Sequence, residues 1–237
     1  MTTTIDMIAG AMQSQADGLR VISQNIANSQ SVAYRREIPV SHATFEQVAG
    51  NVSARSNVER RDALDLTPGT LQSTASPLHL ALEGSGFFVV NTARGETLTR
   101  RGDFHLDSNG QLVTQAGDPV LGTSGPIVIT GDQPTISPDG TVRVGADVMG
   151  QLRIVDVASG SALQPVGDCS YVLADGEQAI DAPAPTVRQG FIETSNVQTV
   201  NEMVQLMDTL RRFEAAQHFV RGYDDMTDKA ITTLGRI

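Results

Sequence analysis

Several groups of residues have types and spacing that invite a chemical reading. Gly84-Ser85-Gly86 follows an apolar run and begins like the glycine fingerprint that cradles a dinucleotide pyrophosphate. The third glycine is missing and no helical pattern follows, so a hairpin turn is the expected role. Asp107, Asn109 and Gly110 occupy three positions of a calcium-loop pattern. The other oxygen ligands and the closing Glu are absent, and a β-turn accounts for the three. His42, His79, His105 and His218 lack metal-ligand spacing. Gly122-Thr123-Ser124-Gly125 is not the G-x-S-x-G turn that presents a serine nucleophile. Asp224, Asp225 and Asp228 read as a solvated or inter-subunit face. No catalytic, metal or cofactor constellation emerges, so an enzyme is not expected.

Composition narrows the partners. The 237 residues carry a formal net charge of −10, with a single lysine, Lys229, and otherwise arginine. Phosphate neutralisation needs basic patches, and the pairs Arg35-Arg36 and Arg100-Arg101 are too short to supply one. Nucleic acid is therefore excluded as a partner. Direct membrane insertion is excluded too, because no stretch approaches eighteen apolar residues. The N-terminus lacks a basic flank before an apolar block, so no cleaved secretory signal is expected. The one cysteine, Cys169, cannot form an intramolecular disulfide.

The elements that carry these residues are of two kinds. From Ser195 to Ile237 a heptad places Met203, Leu210, Gln217, Asp224 and Ile231 at one seam position. Leu206, Phe213, Val220, Thr227 and Leu234 fall at the other. This alternation of threes and fours lays one apolar stripe along a helix, and Val200, Val204, Met207 and Tyr223 widen it. Ser195 with Gln198, or Thr199 with Glu202, offers a capping box at its start. At the other end, Ile5, Met12, Leu19 and Ile26 share one seam position, and Ile8, Gln15 and Ile22 the other. A helix from about Thr4 to Asn28 is expected, about 37 Å long at 1.5 Å per residue.

Between the helices the pattern changes. Residues 31–76 read as an extended arm, with Ile38 to Val40 and Leu64 to Leu66 extended and one or two helical turns from His42 to Ala49. From Leu78 to about Gly190, short β-branched runs alternate with Gly, Pro and Asn turns, the mark of an antiparallel β domain. Asp107-Ser108-Asn109-Gly110 between Phe104-His105-Leu106 and Leu112-Val113 is a hairpin signature. The fold class expected is α+β. Residues 1–30 and 195–237 pair as a coiled-coil stalk, 31–76 form the arm, and 77–194 the β domain. Each helix has more apolar surface than one partner covers, so stalks should bundle, and contacts that do not close build a tube or filament.

These residues also carry a family resemblance. Asn25-Ile26-Ala27-Asn28 leading to Ala33-Tyr34-Arg35-Arg36 resembles the N-terminal motif of bacterial flagellar rod and hook proteins. Leu78 to Val90, with Gly84, Gly86, Phe87 and Phe88, resembles their central signature. Thr99-Arg100-Arg101-Gly102-Asp103-Phe104 and Asp107 to Val113 continue it. Gly190-Phe191-Ile192-Glu193-Thr194-Ser195-Asn196-Val197 into Glu202-Met203-Val204 is similar to the C-terminal one. Ala33 stands where the family usually has Gly, and His79 where Asp is usual.

The resemblance implies a structural subunit of the flagellar rod, proximal by its length, that transmits torque across the periplasm. It implies export by the flagellar type III machinery without signal cleavage. Its partners would be copies of itself and other rod proteins, met by terminal helices that order on assembly. Ile5, Ile8, Met12, Leu19, Ile22 and Ile26 would then bury against C-terminal helices, answered by Met203, Leu206, Leu210, Phe213, Val220 and Leu234. A distal-rod subunit is the alternative within the family. An oligomeric β-domain binding module is the alternative outside it.

Overall fold

The computed structural model describes residues 2–39, 63–131, 133–157, 163–174, 179–182 and 186–234, without the side chains of 2–8, 224, 230, 233 and 234. The helical turns expected from His42 to Ala49 lie outside the described residues, as does Val40. The chain is mostly β, with one helix at each end and an antiparallel β region between them. It divides into two compact units. Residues 1–27, 39–61 and 198–237 make one; 28–38 and 62–197 make the other.

In the first unit, α1 (Thr2–Ala27) and α2 (Thr199–Leu234) pack together. Gln198 directly precedes α2, and its carbonyl accepts from Glu202 N–H at 3.0 Å, the first intrahelical bond of α2. The helices run antiparallel. Asn25 Nδ2 meets Glu202 Oε2 at 3.3 Å, and Gly18 faces Thr209, so seven residues back along α1 match seven forward along α2.

The second unit holds nineteen short strands among the described residues. In chain order they are β1 (Glu37–Ile38), β2 (Ala63–Leu64), β3 (Leu71–Ser73), β4 (Leu80–Glu83), β5 (Phe87–Thr92), β6 (Gly95–Thr99), β7 (His105–Leu106), β8 (Leu112–Val113), β9 (Leu121–Gly122) and β10 (Gly125–Pro126). There follow β11 (Thr135–Ile136), β12 (Thr141–Val144), β13 (Asp147–Gln151), β14 (Ile154–Asp156), β15 (Leu163–Gly167), β16 (Ser170–Leu173), β17 (Ile180–Asp181), β18 (Thr186–Gln189) and β19 (Phe191–Glu193). The main sheet has the order β15-β16-β6-β5-β14-β17, all neighbours antiparallel.

Strand β5 organises the core. Four consecutive apolar residues, Phe87 to Val90, suit a strand covered on both faces, because successive side chains point to opposite sides. Phe88 and Val90 enter one cluster with Leu80, Leu82, Phe104 and Leu112. Phe87 and Val89 enter a second with Leu64, Leu98, Leu163 and Tyr171. Edge-to-face pairs anchor both sides: Phe88 with Phe104 at 5.3 Å, and Phe87 with Tyr171 at 6.0 Å.

The expected hairpin at Asp107–Gly110 is present, with His105 opposite Val113 and Leu106 opposite Leu112. Asp107 Oδ1 accepts from the N–H of Asn109 and Gln111, each at 2.8 Å, and these bonds explain the acidic side chain without a cation. The hairpin expected at Gly84–Gly86 is not there. β4 pairs with β18, whereas β5 pairs with β6 and β14, so the glycines link two sheets. The physical reason is a guanidinium: Arg100 donates to the carbonyls of Leu82, Gly84 and Gly86.

Candidate functional site: a buried ion junction and an exposed helix face

Four of the motifs singled out above converge in the second unit. Strand β19 ends at Glu193, which places its carboxylate between two arginines. Arg35 Nη1 stands 2.9 Å from Oε1, and Arg100 Nε 2.7 Å from Oε2. All three side chains are at most 3% exposed. Gly69 N–H donates to Oε1 at 2.8 Å, and Arg35 also donates to Thr67 O. Burial holds the Arg35 pKa below its usual value; Glu193 acts against that shift and Arg100 with it. The Arg35 Nε has no hydrogen-bond partner. One carboxylate thus compensates two buried cations, and the spare charge is spread over Arg100's carbonyl acceptors.

Glycine is required where the backbone comes close. A Cβ on Gly102 would lie 1.6 Å from Leu80 O, and one on Gly69 1.9 Å from Thr194 O. Neither contact is possible, so any side chain at either position must move a strand.

A second set of bonds ties the segment after α1 to the segment before α2. Ala33 N–H donates to Glu193 O at 2.8 Å, and Asn196 N–H to Tyr34 O at 3.3 Å. Asn196 Oδ1 accepts from Arg36 N–H at 2.7 Å, while its Nδ2 donates to the carbonyls of Asp65 and Thr67, each at 2.9 Å. Ser195 Oγ accepts from Val197 N–H. Asn28 Oδ1 accepts from Ser31 Oγ at 3.2 Å. Ala33 is buried with φ of 56°, the left-handed conformation glycine takes more easily. His79 Nδ1 bonds Thr74 Oγ1 at 2.8 Å.

Tyr34, Phe87 and Phe88 are buried and Gly86 is enclosed with them, whereas Gly84 is exposed. Reading residue types alone missed Arg100, Glu193 and Glu202 as partners. The signal was charge inside otherwise apolar or glycine-rich motifs. Arg101, beside Arg100, points elsewhere and pairs with Asp103 and Asp168.

In the first unit, Ile22 and Asn25 are buried, and Met12, Leu19 and Ile26 are half-buried. On α2, Leu206, Phe213 and Val220 are half-buried, on the same side as Glu202 and Thr209. Met203 and Leu210 face away from it. They join Val200, Val204 and Met207 in a row 41 to 74% exposed. The side chains of Ile5, Ile8 and Leu234 lie outside the description. Phe219, Met226 and Ile231 are exposed further along. Among the described residues no three His, Cys, Asp or Glu side chains gather as a metal set. Among the described residues, no helix is long and apolar enough to cross a membrane.

Comparison with known proteins agrees with this geometry. Residues 188–233 match the family model "Flagellar basal body rod FlgEFG protein C-terminal", and residues 81–144 match "Flagellar hook protein FlgE/F/G D1 domain". The basal-body rod protein FlgF of Rhizobium meliloti is 31% identical over 229 residues, covering 92% of this chain and 91% of that one. FlgF of Escherichia coli is 31% identical over 236 residues, 93% and 94% of the two chains. FlgG of Agrobacterium fabrum is 29% identical over 250 residues, 92% and 94%. A buried junction that holds the fold, an open apolar helix face and relatives matched nearly end to end lead to one conclusion: the chain belongs to the flagellar basal-body rod protein family and is a structural subunit of the rod, not an enzyme.

Proposed function

We propose that this subunit polymerises through its terminal helices, residues 1–30 and 195–237, into the proximal part of the torque-transmitting rod. The observation that carries this reading is the row Val200, Met203, Val204, Met207 and Leu210, open on a helix whose opposite side already meets α1. A contiguous apolar row left in water favours burial against another chain. Ile5, Ile8, Met12, Leu19, Ile22 and Ile26 with Leu206, Phe213, Val220 and Leu234 supply the heptad seam of a coiled coil, within the chain and between copies. Partners are copies of itself and other rod proteins. Export by the flagellar type III machinery, without a cleaved signal, delivers it to a rod that crosses the periplasm.

Distal-rod placement is the second reading, favoured by FlgG relatives that match nearly as well as FlgF ones. Leu210→Asp tests the polymerisation reading. The exposed position leaves the isolated fold within about 0.5 kcal/mol of wild type, while a carboxylate in the assembled seam is costly. Loss of motility and of rods in purified basal bodies, with a normal melting curve, is expected. Wild-type motility would overturn the reading.

A further inference from the structure

Every methionine of α2 lies in the open. Met203, Met207 and Met226 are 47, 53 and 66% exposed, whereas the side of α2 that meets α1 carries Leu206, Phe213 and Val220 and no methionine. Met203 and Met207 stand one helical turn apart, so their side chains are neighbours on one surface. They share it with Val200, Val204 and Leu210, none of which has a side-chain hydrogen-bond donor. Sulfur elsewhere is held differently. Met12 is half-buried on α1, and Met149 packs against the cluster of Phe88 and Val90 while its Sδ accepts from Thr130 Oγ1 at 3.6 Å. Cys169 is half-buried, and burial pushes its thiol up to about 11, so little thiolate is present near neutral pH.

A thioether needs no deprotonation to react, and its first oxidation product is a polar sulfoxide that enzymes can reduce again. With hypochlorous acid an S–O bond forms and the O–Cl bond breaks. Sulfur gives two electrons to chlorine, and chloride and a proton leave. In the free chain the new oxygen accepts from water, and the α1–α2 pairing on the other side of the helix is untouched. Buried against another chain, that oxygen loses its water. The apolar row offers no donor in exchange, so the sulfoxide opposes burial.

We propose that Met203 and Met207 form a reversible oxidation site that gates assembly: hypochlorous acid converts them to sulfoxides in the unassembled subunit, and the oxidised face no longer docks. The inference rests on the polymerisation reading of the α2 face and adds a chemical control to it. The burial that assembly requires then shields both sulfurs, which confines the sensitivity to the subunit before incorporation. A methionine sulfoxide reductase restores the thioethers. Leucine fills nearly the same volume without a sulfur, so it supplies the oxidation-resistant control.

The full chain is treated with limiting hypochlorous acid, and sulfoxides are located by peptide mass spectrometry. Met203 and Met207 should oxidise at least about fivefold faster than Met12 and Met149, because access governs the rate, with the far-UV helical signal retained. Met203→Gln with Met207→Gln puts an amide oxygen where the sulfoxide oxygen would lie. At wild-type helicity it should lower the number of rods in purified basal bodies at least about tenfold. Met203→Leu with Met207→Leu should assemble like wild type. In cells lacking methionine sulfoxide reductase, a hypochlorous acid pulse during flagellar growth should cut new rods about fivefold more with the wild-type chain than with the leucine variant. Oxidation spread evenly over the four methionines would overturn the proposal, as would wild-type rod numbers in the glutamine variant or equal losses in the pulse experiment. Normal assembly of Leu210→Asp as well would mean that the polymerisation reading itself has failed. Blocked assembly of Leu210→Asp beside normal assembly of the glutamine variant would sink the oxidation site alone.

Discussion

Replacing Glu193 by alanine removes the one anion from a site with two buried guanidiniums. The side chain neutralises Arg35 and Arg100 at 2.9 and 2.7 Å and accepts from Gly69 N–H at 2.8 Å. Breaking a buried pair by deleting one partner costs about 3–5 kcal/mol, and an orphaned buried N–H about 1–3 kcal/mol. Arg100 keeps its carbonyl acceptors at Leu82, Gly84 and Gly86, which softens the total. A loss of about 4–6 kcal/mol is expected, comparable to the whole stability of many domains. At about 2–4 °C per kcal/mol, the melting point of the β unit should fall by about 10–20 °C. The assay is thermal and urea unfolding followed at Tyr171. A triple variant, Arg35→Met, Glu193→Leu and Arg100→Met, removes every charge at once. It should still be less stable than wild type, because the three carbonyls and Gly69 N–H lose their partners. A loss below about 1 kcal/mol for Glu193→Ala would refute the reasoning, since the junction would then hold nothing.

Two further outcomes follow from local geometry. Ala33 holds φ of 56°; relief of about 1–2 kcal/mol of left-handed strain is offset by about 0.4–1 kcal/mol of unfolded-chain entropy. Ala33→Gly should therefore stabilise by about 0–1.6 kcal/mol, whereas Ala33→Val should destabilise by more than about 2 kcal/mol through its β-branch, both read from urea midpoints. The bond from Gln111 N–H, then that from Asn109, holds the Asp107 pKa below its usual value. A depressed carboxylate contributes stability above its unfolded pKa of about 3.9 and loses it as pH falls through the folded value. In Asp107→Asn, protection of the Gln111 amide (its exchange rate relative to the unfolded peptide) should lose its acid dependence below about pH 4; an unchanged profile would show that the turn bonds do not set it.

The terminal helices were legible because 3.6-residue periodicity is written locally, and so was the Asp107–Gly110 hairpin. The Gly84–Gly86 turn was misread for the opposite reason. Its glycines satisfy a hairpin rule, but their carbonyls are claimed by Arg100, a partner in another strand. Arg100-Arg101 was read only as too short for a basic patch, and nothing local says that the first turns inward and the second outward. Glu193 sat within a motif whose meaning depends on Arg35, far away along the chain. On α2 the stripe was visible, yet its division into a side toward α1 and an exposed side follows from pairing, not from periodicity.

Polymerisation through the terminal helices buries the open face of α2 in the rod. Met207, 53% exposed in the single chain, reports on it directly. In a Cys169→Ser background, Met207→Cys should react readily with a maleimide in the purified chain. In basal bodies assembled from the same variant, it should react at least about tenfold more slowly, because apolar burial excludes the reagent. Equal labelling in both states would contradict the claim and place the assembly contacts elsewhere.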